Sequence, residues 1–146
     1  MRLGERESLS KSKGMISVGV DIKVRYQETD QMSVVYHANY FTWFEVARIE
    51  LLNRMDCPYR ELEHEGYLLP VLDCEAKFLK PAHFDDQLIV RAAISGMPSA
   101  RIKISYEVHR DDDLLCTGST THAFIDKTGK LTRPPQRFVS KVKLNT

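Results

Sequence analysis

Residues 39–55 read NYFTWFEVARIELLNRM, and the fold turns on how this run is read. It holds neither glycine nor proline. Tyr40, Phe41, Trp43, Phe44, Val46, Ala47, Ile49, Leu51 and Leu52 cover most of a helical circumference. A helix that is apolar nearly all round has to be buried. Glu50, Asn53 and Arg54 gather near its end, where it is expected to reach water.

What surrounds that helix is read from its flanks. Upstream, VDIKVRYQ (residues 20–27) alternates Val20, Ile22, Val24 and Tyr26 with polar residues, the period of a half-buried strand. Downstream, Pro58 opens a short helical turn that Gly66 stops. The pattern then changes to strands. LLPVLDCEAKFL (68–79) sets Leu72, Cys74, Ala76 and Phe78 on one face. DQLIVRAAIS (86–95) follows, and RIKISYEVHR (101–110) alternates most cleanly. RDDDLL supplies a turn into LLCTGSTTHAFID (114–126), and DKTG supplies another. Successive strands joined by short turns predict an antiparallel sheet. With one buried helix beside it, the fold class is α+β, a sheet curled around one long helix. Such a sheet leaves edges that a second copy would cover, so a homo-oligomer is expected, a dimer or tetramer, with a homotetramer as the named assembly.

The chain has 146 residues, which suits one domain, placed here at residues 18–138. Residues 1–17 are polar and charged and read as a flexible tail; residues 139–146 read as a second tail after Pro134 and Pro135. A net charge of +1 gives no overall pull toward nucleic acid or an anionic membrane. No apolar run of ~18 residues is present, so no membrane insertion is expected. The first residues lack the apolar centre of a signal peptide, and a cytoplasmic location is expected. Cys57, Cys74 and Cys116 are odd in number and show no CxxC spacing, which favours reduced thiols over a disulfide framework or zinc site.

The loop ahead of the helix, ETDQMSVVYHANY (28–40), carries the chemistry. A helix N-terminus presents amides without internal partners and about half a positive charge. The helix start falls near His37 to Asn39, with Asn39 as the N-cap candidate. Free amides there can stabilise an oxyanion, one donor contributing on the order of 3 kcal/mol to an acyl-transfer transition state. Asp30 lies just ahead and can fold back to face a carbonyl held by those amides. A carboxylate suffices for attack on a thioester, because a thiolate leaves readily. Neither a GxSxG elbow nor an HExxH metal signature occurs, and no metal or other cofactor is called for.

Residues 24–52 at this point resemble the hotdog-fold acyl-CoA thioesterases of the 4-hydroxybenzoyl-CoA thioesterase family. That family shows a strand, a TD-x-x-G-V-V-Y-H-x-N-Y loop and then W-x-E-x-A-R-x-E. Thr29, Asp30, Val34, Val35, Tyr36, His37, Asn39, Tyr40, Trp43, Glu45, Ala47, Arg48 and Glu50 match it. The resemblance implies that Asp30 is the catalytic carboxylate and that the backbone amide of His37 polarises the thioester carbonyl of an acyl-CoA. The family has glycine where this chain has Ser33. Glycine takes positive φ there, which serine resists. Either the loop differs slightly in shape or the position has no need of that conformation.

Tyr36 and Asn39 flank the helix start and are the substrate-binding candidates, Tyr36 by packing and Asn39 chiefly as a cap. Glu45 sits inside the apolar helix and is read as a partner of Arg48 or of a group across an oligomer interface. His64, His83, His109 and His122 show no ligand spacing. Lys77, Lys80, Arg101, Lys103, Arg110 and Lys127 could meet coenzyme A phosphates, and none is singled out. The leading expectation is an acyl-CoA thioesterase. The alternatives are an acyl-thioester hydratase or dehydratase using His37 with Glu45, and a non-catalytic acyl-binding module.

Overall fold

A computed structural model describes residues 15–96 and 98–144. Strand β1 (Met15–Lys23) is followed by a 3-10 turn (Tyr26–Glu28), helix α1 (Ala38–Arg54) and helix α2 (Tyr59–His64). Strands β2 (Val71–Phe78), β3 (Gln87–Ser95), β4 (Arg101–Arg110) and β5 (Asp113–Ala123) come next, and helix α3 (Gln136–Leu144) closes the chain. The strands form one antiparallel sheet in the order β1-β3-β4-β5-β2. The expected α+β architecture is borne out.

Alternation builds the core. Ile102, Ile104, Tyr106 and Val108 of β4 are buried, as their period of two requires. From α1, Tyr40, Trp43, Phe44, Ala47, Leu51 and Leu52 pack down. Phe44 stacks on Tyr106 with ring centroids 4.3 Å apart. The closeness is possible because Gly118 lies beneath: a Cβ there would stand 2.5 Å from the Phe44 ring.

Four expectations need correction. Tyr26 is not an inward strand residue, because the chain leaves the sheet at Val24 and tightens into the 3-10 turn, leaving Tyr26 77% exposed. The tail drawn over residues 1–17 overlaps β1 at Met15–Ser17, where Ile16 is buried; residues 1–14 lie outside the described ones. Residues 139–144 are not a tail. They belong to α3, because Phe138 and Val142 fall on one helical face and are fully buried, with Phe138 against Phe124 at 5.1 Å. The ion pairs Arg137–Glu65 and Lys141–Asp56, both 2.7 Å, fasten that helix to α2 and to the end of α1. Finally, α1 is not covered all round: Val46 and Ile49 are exposed on one flank.

Strand β2 is the other open feature. It pairs with β5 on one side, and the described chain offers it no neighbour on the other. All its residues except Ala76 are exposed.

Candidate active site

The loop between the 3-10 turn and α1 is folded by its own backbone. Asp30 N–H donates to Val34 O (2.9 Å) and Ser33 N–H to Asp30 O (3.0 Å). Ser33 takes φ 68°, so the loop keeps the conformation the family's glycine would give, and serine bears the strain. Val35 N–H donates to Ala82 O at 2.9 Å, which ties the loop to the β2–β3 connection.

A second anchor was missed in the sequence. Glu28 is buried. Its Oε1 accepts the Arg25 amide at 2.8 Å, and its Oε2 accepts the Trp43 indole N–H at 3.0 Å and the Arg25 guanidinium at 3.2 Å. Burial pushes the Glu28 carboxyl up, but the Arg25 amide, the Trp43 indole and the Arg25 guanidinium together outweigh burial and hold it below its ordinary value. The Glu28 carbonyl meanwhile accepts Tyr36 N–H (2.9 Å) and the Asn39 side-chain amide (2.8 Å). One residue thus clamps both ends of the loop to the first turns of α1. The only sequence signal was an acid next to the TD pair, with the chain's one tryptophan fifteen residues on.

Asn39 is therefore not the N-cap. His37 occupies that place, and it makes no side-chain capping bond. The amides of Asn39 and Tyr40 are taken up by Tyr36 O and His37 O. Those of His37 and Ala38 have no partner among the described residues, so the helix start keeps two donors free.

A cleft of about 370 Å³ opens where the loop, the helix start and the end of β2 meet. Asp30 and His37 both line it, with Tyr40, Phe78, Leu79 and Lys80 among the other walls. Asp30 is exposed, and its Oδ1 accepts the Met32 amide at 2.8 Å. That single bond orients the carboxylate and leaves Oδ2 open. Tyr40 is a wall rather than an acid: burial pushes its phenol up to about 12, and its ring rests on Trp43 and Phe78. Lys80 at the rim is held by Asp113 at 2.9 Å.

Of the sequence candidates, the cleft brings Asp30 and His37 together. Tyr36 stays outside its walls, exposed, with its ring 4.3 Å from that of His37. Asn39 is spent on the Glu28 carbonyl. Glu45 is remote from the cleft, with its carboxylate 3.9 Å from Arg48.

Residues 24–142 match the thioesterase-like superfamily. The chain belongs to it. Acyl-CoA thioesterase YbgC of Haemophilus influenzae is 32% identical over 123 residues, covering 84% of this chain and 88% of the relative. The crystal structure of DHNA-CoA thioesterase from Staphylococcus aureus superposes with a TM-score of 0.81 at 31% identity, over 88% of this chain and 91% of the other. A 4-hydroxybenzoyl CoA thioesterase crystallised with 4-hydroxybenzoyl CoA gives 0.78 at 18% identity, over 86% and 98%, a likeness of fold. The expected hotdog architecture and the family resemblance are both borne out.

Proposed function

We propose that this chain hydrolyses an acyl-CoA thioester to a free acid and coenzyme A. The observation that carries the reading is one cleft lined by both Asp30 and His37, at a helix start where the amides of His37 and Ala38 have no partner among the described residues. The thioester carbonyl accepts from those amides, which stabilise the oxyanion as it develops. Asp30 acts on the carbonyl carbon from the opposite side, directly or through a water it activates. The thiolate leaves without needing an acid. The names of the relatives point to the same substrate class.

Tyr36, exposed beside His37, contacts the substrate in this reading. Asn39 contributes by fixing the loop through Glu28. The hydratase alternative loses support because Glu45 does not share a cleft with His37. The enzyme acts as a homo-oligomer. Support comes from the open edge of β2 and the half-exposed Val71, Leu72, Phe78 and Leu79, which a second copy would cover. A homotetramer would add a second interface to that dimer, and light scattering distinguishes the two. A reducing compartment suits the three free thiols, in keeping with a cytoplasmic location.

Replacing Asp30 by asparagine tests the chemistry. Thiol release from acyl-CoA falls by ~10²-fold or more, the range of a positioned base, while the urea midpoint stays put because the residue is exposed. Full turnover in that variant removes Asp30 from the mechanism.

A further inference from the structure

A second hollow lies beside the catalytic cleft, walled by the same two elements, α1 and β2. His37 and Tyr40 meet Phe78 in the first, and Phe41 to Arg48 meet Val71 and Cys74 in the second. Phe78 meets His37 and Tyr40 at the catalytic end. Farther along, Phe41, Thr42, Cys74 and Thr120 line a hollow of about 260 Å³ with Glu45 and Arg48. From Phe78 to Cys74 is four residues, roughly 13 Å of extended strand. From His37 to Arg48 is eleven residues, roughly 16 Å of helix, and the arginine side chain leans back toward the catalytic end.

Arg48 is held in that hollow by a chain of buried hydrogen bonds whose direction is fixed. His122 is fully buried, and burial pulls its pKa down to about 4, so its ring is neutral. Its Nδ1 lies 3.2 Å from the Leu69 carbonyl oxygen. That oxygen can only accept, so Nδ1 carries the proton and Nε2 accepts. Thr120 Oγ1, at 2.8 Å, must then donate to Nε2. The Tyr106 hydroxyl donates to Thr120 at 2.7 Å, and its oxygen takes the Arg48 Nη1 proton at 3.2 Å.

This chain fixes one corner of the guanidinium. Arg48 also lines the hollow beside Cys74 and Thr120. The Arg48 side chain is only 13% exposed, yet its one counter-ion among the described residues is Glu45 at 3.9 Å, beyond hydrogen-bond reach and itself 63% exposed. No other acceptor for Arg48 is found among the described residues. A largely desolvated guanidinium with open donors is built for a carboxylate, which it can bind through two parallel bonds. Glu45 can swing into water at little cost.

Resting on the thioesterase reading above, we propose that Arg48 determines specificity by binding the far carboxylate of an acyl-CoA whose acyl group is an aliphatic dicarboxylic acid of medium length. The thioester sits at the amides of His37 and Ala38. The chain runs along Phe78, Phe41 and Cys74. The terminal carboxylate meets the guanidinium.

The test compares thiol release from decanoyl-CoA and from the mono-thioester sebacoyl-CoA, using the full chain. The wild type favours sebacoyl-CoA by roughly 10–100-fold in kcat/KM, the worth of a hydrogen-bonded charge pair. In Arg48→Met that ratio collapses to about one, mainly through KM for sebacoyl-CoA; Arg48→Lys keeps part of it. Should Arg48→Met fail to fold, Arg48→Lys alone decides. A wild type that cleaves decanoyl-CoA with no preference for sebacoyl-CoA overturns the proposal and spares the thioesterase reading. So does a ratio untouched by the Arg48 variants. An Arg48→Met protein that merely dissociates, with both substrates slowed alike, assigns the guanidinium to a carboxylate of a second copy and equally overturns it. No thiol release from either substrate by a folded wild type overturns the proposal; the thioesterase reading falls with it only if aromatic acyl-CoA thioesters are left uncleaved as well.

Discussion

Replacing Glu28 by glutamine should destabilise the fold by about 2–3 kcal/mol, although shape and volume are kept. The carboxylate presents two acceptor oxygens: Oε1 to the Arg25 amide, Oε2 to the Trp43 indole and the Arg25 guanidinium. Glutamine offers one acceptor and one donor. In either orientation its NH2 group faces another N–H, and a buried donor left unpaired costs about 1–3 kcal/mol. The surviving bonds also lose their charge assistance. The chain's single tryptophan is Trp43, so urea unfolding can be followed by its fluorescence at the bond in question. With a typical urea slope of about 1–3 kcal/mol per molar, the midpoint should fall by roughly 0.7–3 M. The pH dependence supplies a second reading. The folded-state pKa of Glu28 is depressed below its ordinary value of about 4.5. Its contribution is therefore fully present above that value and lost as pH falls through the folded one. The wild type should lose stability below pH 4.5, and Glu28→Gln should lose less. A urea midpoint unchanged at pH 7, or acid sensitivity as steep as in the wild type, refutes the clamp.

Three other outcomes follow from particular contacts. Ser33→Gly removes the strain of φ 68° and should leave the protein as stable or up to about 1 kcal/mol more stable in urea, with thiol release maintained. Gly118→Ala should lower stability by about 1–3 kcal/mol, because the new methyl would meet the Phe44 ring at 2.5 Å and the Glu75 carbonyl oxygen at 2.9 Å; a melting temperature equal to the wild type's would disprove that packing. His122 has its folded pKa depressed to about 4 from 6.5, so the unfolded chain takes up a proton first and stability is lost as pH falls across that window. Thermal midpoints measured from pH 7 to pH 4 should drop less in His122→Gln than in the wild type.

The sequence alone determined the order of elements, the α+β class, the buried helix and the place where that helix begins. These are local properties: alternation, turn residues and the absence of glycine and proline act over a few residues each. It also pointed to Asp30 and the His37 amide, because both lie within one short loop whose motif is read continuously. The tertiary structure decided what depends on residues far apart in the chain. Glu28 reads as an ordinary loop acid until Trp43 is folded onto it. Residues 139–144 read as a tail until they continue the helix that Phe138 seats on Phe124, with Val142 buried and Lys141 paired to Asp56. The donor chain from Arg48 to Leu69 joins three elements and a loop, and no pattern in sequence announces it. Such contacts depend on chain closure over tens of residues, and only the packed sheet and helix bring those groups within bonding distance.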